Sequence, residues 1–184
     1  SAVLVEKTGR SAPMHFVLGT DGSGAEAIRV GQGGARQPAG DLVEQTDADG
    51  NRRHDANLCM NGADVFSFTL REVPAAIAAV LRQAGWEAAK TDALVLHQAN
   101  TFMMQSLAKK TGYAEAQVPT GAFERYGNQS SASIPAALIE GLGGRLEAES
   151  LRVVGCGYGV GLSWGAFAGE IGPITVCPIQ SFPR

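Results

Sequence analysis

An α/β fold is predicted by three features of the chain. Asp92-Ala93-Leu94-Val95-Leu96 is an apolar run too short for a helix, the pattern of a strand buried on both faces of a helix-covered sheet. It leads directly into His97-Gln98-Ala99-Asn100 and then into a helical pattern, so polar side chains stand where a strand hands over to a helix. The same order recurs downstream, and in open α/β folds ligands collect at those carboxyl ends of strands.

From the start of the chain, Ala2 to Glu6 and His15 to Gly19 are short apolar runs, and Thr8-Gly9-Arg10-Ser11-Ala12-Pro13 between them reads as the turn of a strand pair. The chain opens inside the first run with neither an initiating Met nor a leader, which reads as a fragment or as a chain whose upstream half is removed or separate. Thr20-Asp21-Gly22-Ser23-Gly24 is a tight polar turn. Gly31 to Asn57 is rich in Gly, Gln, Asp, Asn and Arg, lacks apolar periodicity and reads as a long linker or binding loop. Val65, Phe66, Leu70, Val73, Ile77, Val80 and Leu81 fall at helical spacing between Ala63 and Gln83, with Gly85 as the stop and Pro74 expected to kink or split the helix. After the strand ending at Leu96, a helix is predicted from Asn100 to Thr111, closed by Gly112. Gln117-Val118-Pro119 is expected to be extended, followed by a loop through Tyr126-Gly127-Asn128. A helix from about Ser131 to Leu142 is then capped by Ser130 or Ser131, with Pro135 in its first turn. Leu151 to Gly155 and Leu162 to Glu170 make a hairpin around a glycine turn, with Trp164 and Phe167 filling the core. The tail beyond Gly172 reads as an irregular wrap or a short edge strand.

Composition excludes several functions. The 184 residues fit one domain of ordinary size, and 15 basic against 18 acidic residues leave no Lys/Arg stripe to neutralise a nucleic-acid backbone. No apolar run approaches the roughly 20 residues that cross a bilayer, and no signal peptide opens the chain, so no membrane association and a cytoplasmic location are expected. Cys59, Cys156 and Cys177 are odd in number and lack CxxC spacing, so they read as reduced, mostly buried thiols. His15, His54 and His97 show no mutual ligand spacing, and no metal is expected.

The chemistry gathers around His97 and Asn128. Two fixed donors aimed at one carbonyl oxygen stabilise the charge that grows there as an enolate or tetrahedral intermediate forms, each worth about 3 to 4 kcal/mol in the barrier. Taken singly, His97 reads equally as a structural histidine bonded to a backbone carbonyl, and Asn128 as a left-handed turn residue. Gly157-Tyr158-Gly159-Val160-Gly161 has the glycines of a phosphate cradle but is followed by a strand pattern rather than a helix. A plain hairpin turn and an oxyanion-site amide at Val160 both remain open. Cys156 is the nearest nucleophile in the chain, without a helix amino terminus or cation beside it to lower its pKa, and Cys59 and Cys177 have no neighbouring base.

Three motifs together, His97-Gln98-Ala99-Asn100, Gly127-Asn128 with Ser130-Ser131-Ala132-Ser133-Ile134-Pro135, and Gly157 to Gly165, resemble the carboxy-terminal half of a thiolase-fold condensing enzyme of the β-ketoacyl-acyl-carrier-protein synthase III family. The resemblance runs from the first strand pair to Glu170 and weakens after Gly172. It implies a layered α-β-α-β-α architecture built from two similar halves. Residues 1–57 would be the last strands of the amino-terminal half plus a linker loop, and residues 58–184 the carboxy-terminal half.

The resemblance also implies a Cys-His-Asn site. In it, His97 and Asn128 hold a malonyl thioester carbonyl during decarboxylation, and the Val160 amide lies in the oxyanion hole. Asn100, Gly159 and Phe102 are implied as substrate-binding positions, Phe102 taking the place of a basic residue that docks the carrier protein. No segment matches the family's nucleophilic cysteine, so that group is expected from an amino-terminal half, missing or in a separate chain. Acyl-CoA and a malonyl thioester are expected as substrates, an acyl carrier protein as a candidate partner, and a homodimer as the complete enzyme. No cofactor is implied, because coenzyme A enters as a substrate thioester. The open alternatives are a noncatalytic partner subunit and an ester-forming or thioester-hydrolysing relative.

Overall fold

The computed structural model describes residues 1–5, 9 and 12–180. β1 (His15–Thr20) is followed by a 3-10 turn at Gly22–Ala27, capped by the Asp21 carboxylate accepting from the Ser23 amide, and by β2 (Ile28–Val30). Then come β3 (Gln45–Thr46), β4 (Arg52–Arg53), β5 (Leu58–Met60) and α1 (Gly62–Ala84). The remaining elements are β6 (Ala93–Leu96), α2 (Thr101–Thr111), α3 (Gly121–Tyr126), α4 (Ser133–Ala148), β7 (Leu151–Gly159) and β8 (Ser163–Ile171).

The main sheet has the order β1-β8-β7-β6. β6 and β7 are parallel and β8 is antiparallel to both β7 and β1, so β1, β6 and β7 all end at one edge. Side chains on β6 alternate between two cores, as a strand covered on both faces must. Leu94 and Leu96 join Phe68, Ile77 and Val80 of α1 and Met104 and Leu107 of α2. Ala93 and Val95 face Ala136, Ala137 and Leu146 of α4. Each leucine buried this fully contributes about 1.5–3 kcal/mol relative to exposure. Gly155 in mid-β7 keeps the sheet close to the Phe167 ring, because a Cβ there would stand 2.1 Å from a ring carbon.

Several expectations change. Residues 2–5 form no strand and are exposed, and Glu6 with Thr8, Arg10 and Ser11 of the following turn lies outside the described residues. Strand propensity is realised only with a partner and a face to bury, and β1 takes its partner from β8, over six residues. His15–Thr20 therefore shares one sheet with β6, β7 and β8. The loop expected over 31–57 holds β3 and β4 paired as a short ribbon, and its two ends, β2 and β5, pair as another.

α1 runs unbroken through Pro74. Proline withholds the amide that would bond the Leu70 carbonyl, and Lys110 Nζ donates to that carbonyl instead, at 2.8 Å. Of the expected extended piece 117–119, Val118 is extended but Gln117 closes a 3-10 turn, Glu115–Gln117, in which its side chain accepts from the Ala114 amide and donates to the Thr91 carbonyl. α3 occupies part of the expected loop before Asn128. Neither Ser130 nor Ser131 caps α4: they lie in a 3-10 turn, Ser130–Ala132, that leads into it, and Pro135 sits in the first helical turn as expected. No helix among the described residues is long and apolar enough to cross a membrane.

Candidate active site

His97 leaves the end of β6 with its backbone already fixed. Its amide donates to the Cys156 carbonyl at 2.9 Å, extending the β6–β7 pairing by one residue, and its carbonyl accepts from the Ala99 amide at 2.9 Å. The Tyr158 ring meets the imidazole edge-on, with centroids 5.3 Å apart and planes at 87°. Nδ1 lies 2.6 Å from Ser133 Oγ at the start of α4. Burial lowers the His97 pKa below its ordinary 6.5, so the imidazole is neutral at neutral pH and carries one donor nitrogen and one acceptor nitrogen.

Asn128 is exposed in the loop between α3 and α4, just after Gly127, whose φ of 70° only glycine adopts freely. Its Oδ1 accepts from the Ser130 amide at 2.9 Å, which orients the side chain, and Nδ2 has no hydrogen-bond partner among the described residues. Gln98, 1% exposed, ties the two loops together. Its Nε2 donates to the carbonyls of Leu96 at 2.9 Å and Pro119 at 3.2 Å, while its Oε1 accepts from the Phe123 amide at 3.2 Å. The end of β6 is thereby fastened to the segment that leads to Asn128.

Val160 lies at the tip of the β7–β8 hairpin, beyond the end of β7, on the same edge of the sheet. The tip is anchored by Leu162, which exchanges backbone hydrogen bonds of 2.8 and 2.9 Å with Asp21, and the Val160 amide makes no backbone hydrogen bond among the described residues. Gly159 precedes it, with open space where a Cβ would stand. Asn100 caps α2, its Oδ1 accepting from the Met103 amide at 2.8 Å, so its acceptor atom is committed to the helix. Phe102 is 67% exposed and stacks on Phe66 at 5.8 Å.

The cysteines divide. Cys156 is fully buried and its thiol is pushed up to about 12 by desolvation, which makes it inert as a nucleophile. Cys59 and Cys177 are exposed, contrary to the expectation of mostly buried thiols, because β5 belongs to a two-stranded ribbon and Cys177 to the tail beyond β8. Two cavities of about 400 and 390 Å³ lie elsewhere, one beside α2 and Tyr113, the other between Asp21 and α1. His97 and Asn128 line neither of them. Sequence reasoning assigns no role to Gln98, Ser133 or Tyr158. Buried polar side chains must find partners, but the partners are set by contacts 36 residues apart for His97 and Ser133 and 25 for Phe123 and Gln98, which spacing does not reveal.

The layered sheet, covered by α1 and α2 on one face and α4 on the other, is that of a thiolase-fold half. Residues 81–171 match the family described as 3-oxoacyl-[acyl-carrier-protein (ACP)] synthase III C terminal, so this part of the chain is similar to the carboxy-terminal portion of such enzymes. It is 41% identical over 169 residues to the beta-ketoacyl-[acyl-carrier-protein] synthase III of Symbiobacterium thermophilum, covering 91% of this chain and 48% of the relative. The crystal structure of a 3-oxoacyl-(acyl-carrier protein) synthase from Burkholderia xenovorans LB400 superposes with a TM-score of 0.82 at 36% identity, covering 94% of this chain and 48% of that one. A 3-oxoacyl-(acyl-carrier-protein) synthase III structure gives 0.81 at 38% identity, covering 91% of this chain and 50% of that one. The chain spans about half the length of the curated relatives it matches.

Proposed function

We propose that this chain is the carboxy-terminal part of an acyltransferase that condenses an acyl thioester with a malonyl thioester, losing CO2. One observation carries the reading: Asn128 Oδ1 takes the Ser130 amide and His97 Nδ1 faces the Ser133 hydroxyl, whereas Asn128 Nδ2 and His97 Nε2 have no hydrogen-bond partner among the described residues. In the reaction these N–H groups donate to the malonyl thioester oxygen. The carboxylate departs as CO2 and its bonding electrons pass into the enolate, whose oxygen the two donors hold. The enolate carbon then attacks an acyl group carried on a cysteine of the amino-terminal half. The resulting oxyanion is placed on the Val160 amide, and collapse releases the cysteine thiolate and a 3-oxoacyl thioester.

Acyl-CoA supplies the acyl group and no separate cofactor is required. The acceptor arm passes Asn100 and Gly159, with Phe102 on the rim where a carrier protein would approach, and the complete enzyme is a homodimer. Support comes from the relatives, which carry the name beta-ketoacyl-[acyl-carrier-protein] synthase III. The test is product analysis with the complete protein that carries this chain, supplied with acyl-CoA and a malonyl thioester. Release of CO2 matched by a 3-oxoacyl product is expected. Free acid or ester as the sole product would identify a hydrolysing or ester-forming relative, and neither turnover nor binding of either thioester would identify an assembly subunit.

A further inference from the structure

Ser133 opens α4 with 1% of its surface exposed, and its hydroxyl lies 2.6 Å from His97 Nδ1. A buried hydroxyl must place its single proton on an acceptor. Serines at helix starts usually find one in the nearby backbone, yet the Ser133 hydroxyl makes no bond to a carbonyl among the described residues. The imidazole nitrogen is its one polar partner there. If Nδ1 carried the ring proton, that N–H would have to bond the serine oxygen and the serine proton would be stranded in the core. If Nδ1 accepts, both groups are satisfied and the ring proton sits on Nε2. Because the imidazole is neutral, the choice of tautomer decides which single nitrogen can donate.

We infer that Ser133 is a positioning residue that holds His97 as the Nε2–H tautomer and so turns its one N–H toward the substrate side. The start of α4 then serves both donors: the turn ahead of it holds the acceptor side of Asn128 through the Ser130 amide, and its first residue holds the acceptor side of His97. Ser133 itself touches no reacting atom. The catalytic meaning of this lock rests on the condensing reaction proposed above, whereas the tautomer does not.

The test uses the complete protein with 15N-labelled histidine. Long-range proton–nitrogen spectra are expected to show His97 with a protonated Nε2 and an unprotonated, hydrogen-bonded Nδ1. In Ser133→Ala the two tautomers mix, and kcat for malonyl-CoA decarboxylation falls roughly 10- to 100-fold, the size seen when outer hydrogen-bond partners of functional histidines are removed. KM stays unchanged, and Ser133→Thr, which keeps the hydroxyl, restores both the spectrum and the rate. A wild-type His97 protonated on Nδ1 overturns the inference without need of any variant. So does a folded Ser133→Ala protein with the wild-type tautomer and kcat. Failure of the condensing reading is distinct, because the wild-type protein would then release no CO2 from malonyl-CoA while the wild-type tautomer stands.

Discussion

Replacing Gln98 by leucine tests whether one buried amide fastens the two halves of the site. The substitution keeps much of the side-chain volume and removes every polar atom. Two carbonyls, Leu96 and Pro119, lose the donor they share, whereas the Phe123 amide keeps a 3.0 Å bond to Thr120. A buried polar group left unsatisfied costs about 1–3 kcal/mol. Two such groups, partly offset by the added apolar burial, give about 3 kcal/mol of destabilisation. Gln98→Glu is expected to be worse, because a carboxylate would face two carbonyl oxygens. The assay is urea unfolding of the complete protein, with decarboxylation measured on the folded variant. Because the clasp positions the segment before Asn128, kcat should fall along with stability. A loss under about 1 kcal/mol with unchanged kcat would refute the clasp.

Two further outcomes follow from burial. His97 is held neutral, its folded pKa lowered, so below about pH 6.5 the unfolded chain binds a proton that the folded protein resists. Stability is therefore full above that pH and is lost as pH falls from there through the folded pKa. Urea midpoints measured against pH should show this component in the wild type and lack it in His97→Gln. In native protein, iodoacetamide should label Cys59 and Cys177 while Cys156 reacts only after denaturation, read site by site by mass spectrometry; native labelling of Cys156 would contradict its place inside the sheet.

The elements legible in the sequence are those whose local pattern and tertiary surroundings agree. β6 is a continuous apolar run because both faces are covered, and α2 declares its ends through the Asn100 cap and Gly112. The sequence misleads where a partner decides. Residues 2–5 have strand composition but pair with no strand among the described residues, and Pro74 should break α1 but does not, because Lys110 from α2 takes the freed carbonyl. The site divides in the same way. His97 and Asn128 are visible as polar residues at strand and helix ends. The groups that pack on His97 or fasten the end of its strand, Ser133, Tyr158 and Gln98, look like ordinary serine, aromatic and glutamine residues until the chain is folded.

The central claim is that His97 and Asn128 are two donors to one enolate oxygen. The direct measurement is malonyl-CoA decarboxylation by the complete protein and by its His97→Ala and Asn128→Ala variants, each first confirmed as folded. Loss of either donor should lower kcat by about 10²–10³-fold, the range found when one donor of an oxyanion hole is removed. A folded variant of either residue that decarboxylates malonyl-CoA at the wild-type rate would contradict the claim.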